Sequence, residues 1–295
     1  MRVCFVTSQS VGDDAHSDPD IPYLNDAAER AGLIAQWCAW EDDAVNWDAF
    51  DLVIMRSPWN YVKELSRFQK WLSTFPAPQK LWNPRDVIQW NMNKAYLREL
   101  ANDGFAVVPT LYVDFIDDVD AAIRACPVID DGEEIILKPA ISAGSYLTGR
   151  FSRTHSDVLS FAYGILEKTG TLMIQPAIPS VAANGELSCV FFGSEFSHSF
   201  RKGPILAANG GFIDSTYSEK ISGETVPEAV MELATALHGH LTAKQPLLYA
   251  RYDMVVTNAG SPMLLEAELF EPSFFFATSP QSADEFCRKI LALGN

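Results

Sequence analysis

Near the C-terminal end, two short apolar runs over residues 247–256 and 263–269 are joined by the turn Asn258-Ala259-Gly260. Each run carries a charged pair spaced by two, Arg251 with Asp253 and Glu266 with Glu268. A spacing of two in a β-strand puts both members of a pair on one face. The runs therefore predict a hairpin with four charges on one side of a sheet. Such a face is either solvated or occupied by a ligand, and two pairs flanking one turn, followed by Phe274-Phe275-Phe276, favour the ligand. Three carboxylates beside an arginine suit Mg²⁺ and phosphate together, because hard oxygens hold the cation and a guanidinium grips the phosphoryl group.

The rest of the chain supplies candidates for the opposite wall. Residues 1–7, 34–40 and 51–55 read as short buried strands around a helix over 23–31, which is the beginning of a parallel α/β sheet. Apolar residues at 65, 68, 71, 72 and 75 predict a helix that Pro76 ends. Asn93 is placed to cap a helix bearing Leu97 and Leu100 that stops at Gly104, and 118–125 predicts another. Strands are expected over 135–139, 146–151 and 171–175, a hairpin over 186–200, and helices over 227–241 and 282–293.

Lys138 ends an apolar strand just before the small-residue loop 140–145, whose Gly144 and Ser145 can lay backbone N–H groups against phosphate. Lys94 falls in the first turn of the expected helix, where a cation opposes the helix dipole unless a polyanion binds there. Gln175-Pro176-Ala177-Ile178 follows a strand and offers backbone groups that can pair with a base edge.

Composition removes several alternatives. With 22 Lys+Arg against 38 Asp+Glu, the net charge of −16 argues against nucleic acid or an anionic membrane as partner. The acidity is spread along the chain, at −5, −5 and −6 over residues 1–93, 94–180 and 181–295. Five scattered cysteines without a CxxC pair suggest neither a disulfide framework nor a zinc site, and a cytoplasmic location is expected. No P-loop, GxGxxG, HExxH or GxSxG motif is present, and His238 and His240 read as ordinary histidines.

Taken in order, these motifs resemble the ATP-grasp superfamily of carboxylate-activating ligases. Lys94 in Asn-Lys-Ala-Tyr-Leu-Arg and Lys138 in Ile-Leu-Lys-Pro match its two lysines. The loop 142–145 resembles its phosphate flap, Gln175 to Ile178 its adenine hinge, and Glu186 its ribose acid. Arg251-x-Asp253 with Glu266-x-Glu268 resembles its arginine and metal signature, with Glu268 where many members have Asn. Arg56-Ser57-Pro58-Trp59-Asn60-Tyr61, Leu81-Trp82-Asn83-Pro84 and Trp90-Asn91-Met92-Asn93-Lys94 are similar to a bacterial, glutathione-synthetase-like subgroup.

The resemblance implies an ATP-grasp fold of the α/β class. Residues 1–92 would form an N-terminal parallel-sheet α/β domain, and 93–178 and 179–295 two subdomains that clasp the nucleotide. It implies ATP with one or two Mg²⁺, or Mn²⁺, held by Asp253, Glu266 and Glu268. Lys94, Lys138, Gly144, Ser145, Gln175 to Ile178 and Glu186 would bind the nucleotide, and Arg251 would stabilise the transferring phosphoryl group. The implied chemistry is an acyl phosphate attacked by a nitrogen. In a cyclo-ligase of antibiotic biosynthesis that nitrogen belongs to the same small molecule; the alternative is a ligase joining two molecules, and a regulatory nucleotide-binding module is a third reading. Arg201 and Lys202, ahead of Asn209-Gly210-Gly211, occupy the region of a family arginine, and only one of them can point inward from a regular strand. Arg56, at the carboxyl end of a parallel strand, either meets a substrate carboxylate or pairs with an acid of the chain. Tyr61 and Glu271 are further substrate candidates. A homodimer is compatible with this reading.

Overall fold

A computed structural model describes residues 1–9, 18–211 and 220–294. The chain opens with β1 (Arg2–Thr7), α1 (Ile21–Arg30), β2 (Ile34–Ala39), β3 (Leu52–Ser57), α2 (Leu65–Ser73), β4 (Leu81–Trp82) and α3 (Arg85–Met92). The four strands form a parallel sheet in the order β2-β1-β3-β4. Strand β1 shows why: Val3 and Phe5 enter one apolar core while Cys4 and Val6 enter the core on the opposite face. A strand apolar on both sides belongs inside a covered parallel sheet. On one of those sides, the helical spacing of α2 delivers Phe68 and Leu72 to the core with Trp40 and Tyr61.

The middle of the chain comprises α4 (Tyr96–Asn102), β5 (Leu111–Val113), α5 (Val119–Ala125), β6 (Glu134–Pro139), β7 (Gly149–Ser152), α6 (Val158–Thr169) and β8 (Leu172–Pro176). Its antiparallel sheet runs β5-β8-β6-β7, with α5 and α6 packed in one core against it. The last part holds α7 (Pro179–Asn184), β9 (Glu186–Phe192), β10 (Glu195–Lys202), β11 (Ile221–Gly223), α8 (Glu228–Lys244), β12 (Tyr249–Val256), β13 (Pro262–Glu268) and α9 (Ser282–Leu293). Its antiparallel sheet runs β11-β10-β9-β12-β13. Gly185 is required ahead of β9, because its φ is +68° and an added Cβ would lie 1.9 Å from the Lys202 carbonyl oxygen.

Two local expectations are revised. Asn93 does not open a helix: α3 ends at Met92, Asn93 is extended, and its side chain accepts the Ala95 N–H at 3.0 Å. Lys94 thus sits in the link before α4, one residue ahead of the Ala95 cap. Gln175 and Pro176 belong to β8 itself, and the Ala177 N–H is already given to the Glu134 carbonyl at 2.9 Å. The five cysteines are buried and form no disulfide. Among the described residues no helix is long and apolar enough to cross a membrane.

Candidate active site

The three sheets meet around a cavity of about 1380 Å³. One wall is the charged hairpin. Register sets Arg251 opposite Glu268 and Asp253 opposite Glu266, with an irregularity just beyond Asp253. Among the described residues the edge strand β13 has no further strand beside it at this end, and side chains take that place. Asn91 donates to the Ala267 carbonyl at 2.7 Å and accepts the Leu269 N–H at 2.8 Å. The Tyr96 hydroxyl donates to the Ala267 carbonyl and accepts the Ala267 N–H, each at 2.9 Å. Asn83 bridges the Tyr249 and Leu269 carbonyls and the Leu248 N–H. These asparagines belong to the Trp-Asn motifs of the N-terminal part, and they fix the strand that carries Glu266 and Glu268.

Charges on the cavity wall are arranged in mutually compensating sets. The Lys94 ammonium lies 3.0 Å from Glu266 and donates to the Ser142 carbonyl at 2.7 Å. Lys202 bridges Glu186 at 2.9 Å and Asp253 at 2.8 Å. Arg251 reaches Asp253 with two nitrogens at 2.9 and 2.8 Å, Glu268 through a short contact, and the Ser273 carbonyl at 2.8 Å. Burial pushes the Asp253 carboxyl upward, but Arg251 and Lys202 overcome it and hold it well below the usual range. Burial also opposes ionisation of Glu266, and Lys94 with Lys138 pulls it down instead. For Glu268 burial wins over Arg251, with help from Asp253 and Glu266, and its carboxyl is pushed up to about 7.

Lys138 differs from the other bases. It is 7% exposed, lines the cavity, and makes no ion pair or hydrogen bond through its ammonium among the described residues. Burial lowers its pKa, and Lys94 and Lys202 lower it further against the pull of Glu266 and Glu186. A buried ammonium in that condition is stabilised by an entering anion.

The expected nucleotide residues Lys94, Lys138, Gly144, Ser145, Gln175, Pro176, Ala177, Ile178 and Glu186 all line this cavity. So do Arg251, Lys202, Glu266, Glu268 and Glu271. Four of the candidates do not line the cavity. Arg201 points off the cavity, since alternation along β10 turns inward Lys202, and its guanidinium pairs with Glu224 at 3.0 Å and the Asn184 carbonyl. Arg56 is fully buried and bound to Asp20 at 3.0 Å and the Pro272 carbonyl at 2.9 Å, with Asp18 at 3.8 Å and the Phe274 ring 3.9 Å beneath it. It meets acids of its own chain. Tyr61 lies behind the wall, donating to Glu271 at 2.8 Å. Asp253 also lies behind it, 1% exposed and saturated by Arg251, Lys202 and the Ser188 hydroxyl at 2.7 Å.

The metal trio is therefore incomplete: among the described residues no three His, Cys, Asp or Glu side chains gather as a metal centre. Glu266 and Glu268, both hard oxygen donors on the wall, fit a Mg²⁺ ion, whereas Asp253 is engaged elsewhere. Sequence reasoning missed the loop 271–276 as a unit and the contributions of Thr7, Ser8 and Ser273 to the wall. The Phe274-Phe275-Phe276 run was the available signal for that loop. His238 is a core residue between the Tyr252 hydroxyl and the Gly193 carbonyl, and His240 bonds Asp103 at the surface.

A parallel N-terminal sheet and two antiparallel sheets around one cavity make up the ATP-grasp fold, which solved structures share. D-alanine–D-alanine ligase from Bacillus anthracis superposes with a TM-score of 0.64 over all of this chain and 97% of that one, at 13% identity. Residues 3–83 match the family model described as the N-terminal domain of D-cycloserine synthetase DcsG. The cycloserine biosynthesis protein DcsG of Streptomyces lavendulae is 30% identical over 279 residues, covering 92% of this chain and 93% of that protein. The crystal structure of D-cycloserine synthetase DcsG matches the full length of both chains with a TM-score of 0.88 and 28% identity. The chain belongs to the DcsG family of ATP-grasp ligases.

Proposed function

We propose that this protein is an Mg²⁺-dependent cyclo-ligase that closes O-ureido-D-serine to D-cycloserine. The observation that carries the reading is the buried, unpaired Lys138 facing the same cavity as Lys94, Arg251, Glu266 and Glu268. That set suits a polyanion with a bound cation. Family membership supports the substrate, since relatives named for cycloserine synthesis match nearly the whole chain. The domain division at 1–92, 93–178 and 179–295 belongs to the same proposal, with the cavity at the meeting of the three parts.

In this reading the γ-phosphoryl of ATP passes to the substrate carboxylate, giving ADP and an acyl phosphate. Water cleaves the ureido group to carbon dioxide and ammonia, and the freed aminooxy nitrogen displaces phosphate to close the ring. Phosphoryl transfer needs alignment and charge neutralisation more than a covalent residue. Lys94 and Lys138 hold the phosphates, and Arg251 stabilises charge on the transferring group. Glu266 and Glu268 would hold Mg²⁺, which neutralises phosphate charge when bound. Lys202 keeps Asp253 and Glu186 in place. The residues around 175–178 receive the base. Water must be kept from the acyl phosphate itself, which it would hydrolyse.

A mass spectrum of the products from ATP, Mg²⁺ and O-ureido-D-serine tests the proposal. One D-cycloserine per ADP, with no added amine, is expected. ADP formation that waits for a second amine and yields a linear product would replace it with an intermolecular ligase.

A further inference from the structure

Glu271 is 9% exposed, and its Oε2 atom is buried without a hydrogen-bond partner. Its other oxygen accepts the Tyr61 hydroxyl at 2.8 Å, and no ion pair neutralises it among the described residues. Two other cavity-lining residues have an orphaned acceptor, Asp18 and Gln175. Gln175 is neutral, and Asp18 has Arg56 at 3.8 Å. Glu271 alone of the three is an acid with no cation in ion-pair contact among the described residues. Burial together with Glu268 and Glu266 raises its pKa well above the usual carboxylate range, and the Tyr61 hydrogen bond and the more distant charge of Lys94 only partly offset this. A buried carboxyl with a free oxygen is unfavourable unless a proton or a cationic donor occupies it.

The loop bearing Glu271 is held from several directions. Trp59 donates to the Glu271 carbonyl at 2.9 Å, Arg56 to the Pro272 carbonyl at 2.9 Å, and Arg251 to the Ser273 carbonyl at 2.8 Å. Asp20 accepts the Phe274 N–H at 2.6 Å and the Phe276 N–H at 2.9 Å. His198 is bonded to the Phe274 carbonyl at 2.7 Å. The loop is thus presented rigidly, and Arg251 grips it two residues beyond Glu271. A short molecule carrying both an ammonium and a carboxylate can meet Glu271 while its carboxylate lies toward Arg251.

We infer that Glu271 reads a protonated primary amine of the substrate, and that Tyr61 is the positioning residue that aims it. The site then selects α-amino acids over the corresponding hydroxy or desamino acids. This inference rests on the proposed carboxylate substrate at the same cavity.

The test is calorimetric titration, with Mg²⁺ and a non-hydrolysable ATP analogue present, of O-ureido-D-serine and its desamino counterpart. A charge-assisted hydrogen bond predicts that the wild type prefers the amine by about 30-fold. Glu271→Gln should reduce that preference to about threefold or less, with nucleotide affinity changed less than about twofold. Tyr61→Phe, whose readout is the same preference, should give an intermediate ratio and serves if Glu271→Gln does not fold. An unchanged ratio in the variants overturns the inference. Should O-ureido-D-serine elicit no ADP from the wild type, the proposed reaction falls separately. D-serine against D-glycerate then decides: a ratio that collapses in Glu271→Gln upholds the amine site, and one that persists removes it.

Discussion

Lys138 shows how much one residue's environment says about its task. Its ammonium is desolvated and unpaired, while Lys94, Lys202 and Arg251 nearby each hold carboxylates. Removing it takes away a charge whose cost of burial outweighs its attraction to Glu266 and Glu186. Lys138→Met is expected to weaken ATP binding by about tenfold or more while leaving the thermal midpoint unchanged or higher. Titration of nucleotide and a melting curve on the same preparation check both parts, and an unchanged affinity would remove Lys138 from the phosphate site. Residues of this kind were legible because short-range spacing marks them: a base ending an apolar strand, acids two apart beside a turn. For Arg56 both alternatives stayed open, because its partner Asp20 lies 36 positions earlier in a loop and no local pattern joins them. Asp253 was legible as an acid on the charged face but not as one already neutralised by Arg251 and Lys202.

At the scale of elements, the charged hairpin is only as well placed as its open edge allows. Ordinarily an edge strand exposes its N–H and C=O groups. In β13 the groups at Ala267 and Leu269 are satisfied by Asn91, Tyr96 and Asn83, so the Trp-Asn motifs are structural connectors between the N-terminal part and the hairpin. Asn91→Ala leaves the buried Leu269 N–H without its acceptor and should cost about 1–3 kcal/mol in stability. Turnover should fall as well, because Glu266 and Glu268 lie on the loosened strand; denaturant unfolding with a steady-state assay checks it, and a neutral result in both would contradict the connector role. Most elements follow from local pattern, β1 and α2 being the clearest. Helix α6 does not, since its apolar residues at 158, 159, 161, 162, 163, 165 and 166 run around the helix without a single stripe. The short strand β5 has three residues, too few for alternation to register.

For the whole molecule, the net charge of −16 coexists with a cavity that collects Lys94, Lys138, Lys202 and Arg251. Acidity spread over all three segments keeps the surface solvated, while these four bases face the cavity together with acids that balance them. The overall arrangement was legible through the order of the motifs: Lys138 and the hinge share the middle sheet, the charged hairpin belongs to the last sheet, and Lys94 lies in the link before α4. The cavity's internal pairings were beyond such a reading, since they depend on which side chains the three sheets turn toward one another. The central claim is that this cavity activates a substrate carboxylate with ATP. Its most direct measurement uses O-ureido-D-serine labelled with ¹⁸O in the carboxylate, with mass analysis of the phosphate released. The account predicts one ¹⁸O transferred to inorganic phosphate for each ring closed. Ring closure with unlabelled phosphate would contradict it.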